Sequence, residues 1–505
     1  MDLVIVILFL CLYYLRPQEW SGMFSTIHFV QIVMLSGVAA LFLREQSYRP
    51  RDMFRTPHDW AVFGFWAWLV LSAVHPWDTF KDNANLYIFY LVIVQILTSV
   101  PRMKIFVAWW TMLIVTVALL ALASTWGFDP LDSLEMTNGV MKGRLVLNLS
   151  IFNNPNALGH SVVPAIPMLY YYLVWKRPVA SRILGFALLA IPLYCIYLTV
   201  SKGAFLCAGI TSIATMAFGR PKSVQVAIGV AAVLFGTTAL FMLPRMNELN
   251  NSKSDAAIQG RVLAFKHGYG ILQTKFRGIG KGEWGKDAFI TDYVRRPAPA
   301  RKSSEGTAPH FVMKPVRHGK APHSTYVCIG AELGKPGLYL MMAVLFYCLK
   351  TTMTAKTQTP DEERIRRMLF VLVVSYIVSS WMVDFEYRPT FFMFAAAIAA
   401  LHRHLMGMLT EKEEESGEEP VLETYVPVWQ SPQLLPQPAM ASALPDSRLA
   451  RQVFSPEPEP GGASVSTSPK MLGIDWNRIG WIDGVMIFFL TWGVIRFWAY
   501  IMDRM

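Results

Sequence analysis

The apolar residues of this chain come in long runs. Twelve of them, at 2–15, 27–43, 60–74, 86–100, 105–123, 158–175, 183–200, 203–218, 223–243, 324–349, 368–383 and 390–408, fill much of the first 408 residues, and a thirteenth lies at 481–502. Runs of this kind lack the polar stripe of a surface helix. In hydrocarbon, a helix is the structure that satisfies every backbone group within one segment. Of 505 residues, 53% are hydrophobic and 16% charged, whereas a soluble protein carries about a quarter charged residues. The expected fold is therefore all-α: a polytopic membrane bundle of about twelve transmembrane helices with a possible thirteenth. Several runs are short for a span, so flanking aromatics must extend them.

The first run follows Met1-Asp2 with no basic n-region and no small-residue cleavage site, which makes it a retained span rather than a leader. The cysteines (Cys11, Cys195, Cys207, Cys328 and Cys348) all fall in or beside apolar runs, and none forms a CxxC pair. They read as buried thiols. The sequence carries no Walker, HExxH, GxSxG or convincing acidic metal pair, so neither cofactor nor metal is expected.

Lys and Arg in short loops set the orientation. The loops 44–59, 176–182 and 350–367 are basic, and alternation of the runs puts all three on one side, which the positive-inside rule makes cytoplasmic. The N-terminus then lies inside, while 16–26, 75–85, 124–157, 244–322 and 384–389 lie outside. The chain divides into a membrane region at 1–243, a large outer loop at 244–322 containing short helices, and a second membrane region at 323–408. An acidic, Pro-rich cytoplasmic tail of disordered composition follows at 409–480, then a spanning or interfacial segment at 481–505. The outer loop holds 15 Lys/Arg against 6 Asp/Glu. Such a basic surface suits an anionic partner such as a diphosphate, an acidic glycan or lipid headgroups; nothing suggests nucleic acid. Within it, 254–273 has apolar residues at helical spacing (Ile258, Val262, Phe265, Tyr269, Leu272), an amphipathic helix for the membrane surface or the bundle. The glycines of RGIGKGEWG (277–285) permit a tight turn, but no strand precedes them as a nucleotide loop requires.

Some residues stand out for chemistry. His323 sits where the basic loop meets a span, as either a proton-transfer group or a helix-end anchor. Glu332 lies nine residues on, half a helical turn out of phase and about 13.5 Å of rise away. It cannot simply orient His323; it should pair with a cation or backbone elsewhere. Lys202, in the short hairpin LTVSKGAF (198–205), is an outer cation or a snorkelling lysine. Arg261 has the same two readings, and Arg388 is a further outer cation. Asn156, in FNNPNALGH (152–160), is either turn chemistry or an amide for sugar hydroxyls; the neighbouring His160 reads as part of the turn.

Taken together, the span pattern, the SKG hairpin (201–203), the segment GRVLAFKHGYGILQTKFRGIGKGEWG (260–285), the stretch HSTYVCIGAELGKPG (323–337) and NNPNALG (153–159) resemble the bacterial O-antigen ligase and polymerase family over residues 1–408. The resemblance implies an inverting, metal-independent glycosyltransferase. It would move a glycan from an undecaprenyl diphosphate carrier to an acceptor hydroxyl on a glycan, lipid A-core or protein. The reaction would run on the periplasmic face of the inner membrane, among membrane lipids. By that likeness His323 is the base and Glu332 supports it in the catalytic group. Arg261, and Lys202 where the family has arginine, bind the diphosphate; Lys202 lacks the bidentate fork of arginine. The tail 409–505 has no counterpart. From the residues alone, a transporter or flippase of an anionic lipid-linked glycan and an envelope-assembly scaffold remain open. Clustering of the sharpest candidates at the outer rim, rather than at mid-membrane, favours chemistry there.

Overall fold

The computed structural model describes residues 2–20, 29–42, 53–242, 256–285, 289–297, 311–318, 321–407 and 479–504. The chain separates into two units, Met1–Leu409 with Asp475–Met505, and Thr410–Ile474. The second unit, and with it most of the acidic tail, lies outside the described residues, as do Arg44, Arg49 and Arg51 of the first basic loop.

The first unit is a bundle of helices: α1 (Asp2–Tyr14), α2 (Phe29–Phe42), α3 (Pro57–Leu71), α4 (Pro76–Ile96), α5 (Val100–Ser124), α6 (Pro155–Val174), α7 (Val179–Leu198), α8 (Lys202–Ala217), α9 (Lys222–Met242), α10 (Ala256–Thr274), α11 (Thr325–Glu332), α12 (Gly334–Thr354), α13 (Pro360–Ser379), α14 (Pro389–Leu405) and α15 (Trp481–Arg504). Within the described residues every apolar run of the sequence is largely helical. Among the described residues six helices, α1 with its extension to Trp20, α5, α6, α7, α12 and α15, are long and apolar enough to cross a membrane.

Two features depart from the all-helical expectation for the outer loop. It contains an antiparallel ribbon, β1 (Phe289–Pro297) with β2 (Phe311–His318), in the register Phe289 opposite His318. The run 324–349 is also not one helix: it breaks between Leu333 and Gly334, where Gly334 takes a φ of +68°. α4 and α13 start earlier than the apolar runs within them, and each takes proline in its first turn. In α13, Thr359 and Glu362 form a reciprocal capping box ahead of Pro360.

α12 carries the chain from the His323 end of the bundle to the opposite end. There the basic loops meet: the Arg364 and Arg367 guanidiniums lie 5.7 and 5.1 Å from the Trp175 ring, and Lys104 donates to Asp361 at 2.7 Å. The same end holds two buried ion pairs. Arg403 Nη2 donates to Asp59 Oδ2 at 2.9 Å, and Tyr90 donates to the other oxygen at 2.8 Å. Lys350 Nζ donates to both Asp483 oxygens at 2.8 Å, fastening the start of α15 to the end of α12. At the far end of α15, Trp498 is fully buried in a small core with Ala264, Leu272, Trp284, Val327 and Ala331. The segment 481–502 is thus a helix running antiparallel to α12, and α10 is docked on the bundle by its apolar stripe. Four of the five cysteines are buried, Cys11 is half-buried, and all are free.

Candidate functional site

The first turn of α11 is sewn to the connection between α13 and α14. The Thr325 N–H donates to the carbonyls of Ser380 (2.8 Å) and Val383 (3.1 Å). Its hydroxyl donates to Val383 O and accepts from the Phe385 N–H, both at 2.8 Å. His323 precedes this turn with φ at +51°, in the left-handed region where His is one of the better tolerated side chains. The consequence is a pairing across 61 positions: His323 Nδ1 lies 3.4 Å from Asp384 Oδ2, with the two side chains 34% and 27% exposed. That is an ion-pair distance, longer than a tight hydrogen bond. An imidazole flanked by a carboxylate and open to solvent is the arrangement a proton-accepting group needs.

Glu332 is buried and does not touch His323. Its carboxylate accepts from the Gly282 N–H (2.9 Å), the Trp284 N–H (3.3 Å) and the Tyr387 hydroxyl (2.8 Å). The expectation of a backbone partner elsewhere is met, and the partner is the glycine-rich turn. That turn lies along the end of α11: Ile279 N–H donates to Ala331 O at 3.0 Å and Gly280 N–H to Glu332 O at 2.8 Å. A Cβ on Gly278 would stand 2.3 Å from Glu332 O, and one on Gly334 2.0 Å from Phe276 O, so both glycines are required. Lys281, on the same turn, donates to Asn83 Oδ1 at 2.7 Å and lies 5.2 Å from the Tyr387 ring centre. Burial pulls its ammonium below the usual lysine range, against the opposing pull of Glu332. With three donors on it, Glu332 holds the turn and Tyr387 in place.

Two residues from His323's partner stands Glu386. Burial, and then the neighbouring Asp384 charge, push its carboxyl up to about 8. Arg388 closes this segment as the N-cap residue of α14 and makes no ion pair among the described residues. Five consecutive residues, Asp384 to Arg388, thus face His323, the buried interior, Glu332 and the rim.

The other candidates gather around His160. Its Nδ1 is 2.9 Å from Ser379 Oγ, and its Nε2 has no hydrogen-bond partner. Arg261 lies within electrostatic reach of it. Lys202 is the first residue of α8, half-buried, and a Cβ on the adjacent Gly203 would stand 3.1 Å from His160 Nε2 and 2.9 Å from Met382 Sδ. Asn156 is committed to structure: its amide oxygen accepts from Arg144 (2.9 Å) and from Ser201 (2.8 Å), bracing the hairpin 199–201 against α6. It does not offer that oxygen to a ligand. A cavity of about 30 Å³, room for a single water, is lined by His160, Ser379, Phe385 and Arg388. Lys202, Arg261 and His323 do not line it.

The candidates are linked through residues 379–388 in two groups: His323 and Glu332 are held by Asp384 and Tyr387, whereas Lys202, Asn156 and Arg261 lie about His160, whose cavity Arg388 lines. Asp384, Glu386 and Tyr387 escaped the sequence reading. A loop of four titratable residues in five, DFEYR between two apolar runs, was the available signal. No protein-family model, curated protein or solved structure matches the chain.

Proposed function

We propose that the chain is a membrane-embedded glycosyltransferase of the O-antigen ligase or polymerase type. In this reading it has about twelve spans, with α15 as a thirteenth. It moves a glycan from undecaprenyl diphosphate to an acceptor hydroxyl at the periplasmic face of the bacterial inner membrane. His323 takes the hydroxyl proton as the acceptor oxygen attacks the anomeric carbon. The bond from that carbon to the diphosphate oxygen breaks with inversion, and the electron pair leaves on the diphosphate. Asp384 steadies the imidazolium that forms, and Arg388, Arg261 and Lys202 offset the leaving charge without a metal. One observation carries the reading: the half-exposed His323–Asp384 pair at 3.4 Å, on the bundle end opposite the basic loops.

The test is complementation of a strain lacking this protein, scoring surface glycan at matched protein levels. His323→Asn suits the test better than Ala, because Asn tolerates the left-handed backbone. Loss of glycan with His323→Asn and Asp384→Asn supports the assignment; wild-type glycan from both removes it. Accumulated lipid-linked polymer marks a ligase, and single repeat units mark a polymerase. A transporter or flippase of an anionic lipid-linked glycan is the second reading, favoured by the buried Asp59–Arg403 and Lys350–Asp483 pairs. It predicts that His323→Asn leaves surface glycan intact.

A further inference from the structure

Beside the His323 site, α1, the turn after it, α4 and the start of α14 enclose a separate cavity of about 250 Å³. Two of its lining side chains are amides with an unmet need. The carbonyl oxygens of Gln18 and Asn85 are shielded from water and have no hydrogen-bond partner. Shielded acceptors without donors are uncommon, and each is costly when left so. Arg16 and Arg388 line the same cavity; Arg16 is partly engaged by Glu19, and Arg388 is free of ion pairs among the described residues. Asp82 adds a carboxylate at the exposed side, and Phe9 and Leu86 supply apolar lining.

This set selects its ligand by chemistry. The two amide oxygens and the carboxylate require donors, the guanidiniums require acceptors, and the apolar lining requires a C–H face. A phosphate or diphosphate presents acceptors and would leave both amides unmet. A pyranose meets all three demands, because each hydroxyl both donates and accepts and the ring has an apolar face. We propose that this cavity is a subsite for one sugar residue, held through Gln18 and Asn85, with Arg388 shared between it and the cavity beside His160. As the sugar of the transferred or accepting glycan it rests on the transferase reading; as a sugar site it stands without it.

The experiment uses the full chain in lipid nanodiscs and saturation-transfer NMR with methyl glycosides of glucose, galactose, mannose and N-acetylglucosamine. The expected result is transfer to the ring protons of at least one glycoside, with its dissociation constant raised about tenfold or more by Gln18→Leu with Asn85→Leu. Leucine removes two unmet acceptors, so the double variant should keep or raise its melting temperature, which separates lost binding from misfolding. No transfer to any glycoside, or transfer unchanged in the double variant, overturns the subsite. So does inorganic pyrophosphate binding that depends on Gln18 and Asn85. His323→Asn separates the two claims: the subsite requires that it still bind the glycoside, whatever becomes of transfer.

Discussion

Asp384 matters because of where α11 begins. With Thr325 tied to the 380–385 carbonyls and amides, the carboxylate stands beside His323 at 3.4 Å. Asp384→Asn keeps the shape and removes the charge. It should lower transfer about 10²-fold in an assay on purified protein, with the fold unchanged by circular dichroism. Glu386 makes a different prediction. Its carboxyl, normally near 4.5, is pushed up to about 8 in the folded chain, so across that window the folded state holds proton that the unfolded state has released. Its contribution to stability is therefore greatest at and below the unfolded value and declines as pH rises from about 4.5 toward 8. The melting temperature of Glu386→Gln in detergent should accordingly gain on that of the wild type as pH rises across the window. A difference between the two that stays constant with pH contradicts the raised carboxyl. Nothing periodic marks such residues in a sequence: their roles come from partners some 60 positions away, which composition and spacing do not reveal.

Helix placement was largely legible, because a span must be apolar along its length and the runs report that plainly. Its breaks were not. The cluster Gly330, Gly334, Pro336 and Gly337 allows close approach or a break, but that the break falls at Gly334 depends on the glycine turn passing over it, at 2.0 Å from a Cβ to Phe276 O. Gly334→Ala forces a side chain into a left-handed backbone, worth about 1–2 kcal/mol, and into that carbonyl. It should lower the melting temperature and expose 277–285 to protease. Normal stability with Ala would mean that α11 and α12 are not separated as described. The amphipathic stripe of α10 was visible in the sequence, but its partner, Trp498 of α15, was not, since the two segments are 233 positions apart along the Trp498–Phe265 hydrogen bond.

α15 is the largest addition to what the resemblance implies. It is joined to α12 by Lys350–Asp483 at one end and to α10 and α11 by Trp498 at the other. Removing one partner of the buried pair, as in Asp483→Ala, should cost about 3–5 kcal/mol, whereas replacing both with apolar residues should recover most of it. Equal losses in the single and double variants would deny the pair its place inside the bundle. With α15 as a span, its Arg504 end lies on the His323 side and the Asp2 end of α1 on the other, and reporters fused at the two ends should say so. All of this positions one mouth, where an imidazole and a carboxylate stand together. The decisive measurement is transfer by purified chain in proteoliposomes supplied with a lipid-linked glycan and an acceptor, comparing wild type with His323→Asn. The account predicts product from the wild type and at least a hundredfold less from the variant; equal rates would contradict it.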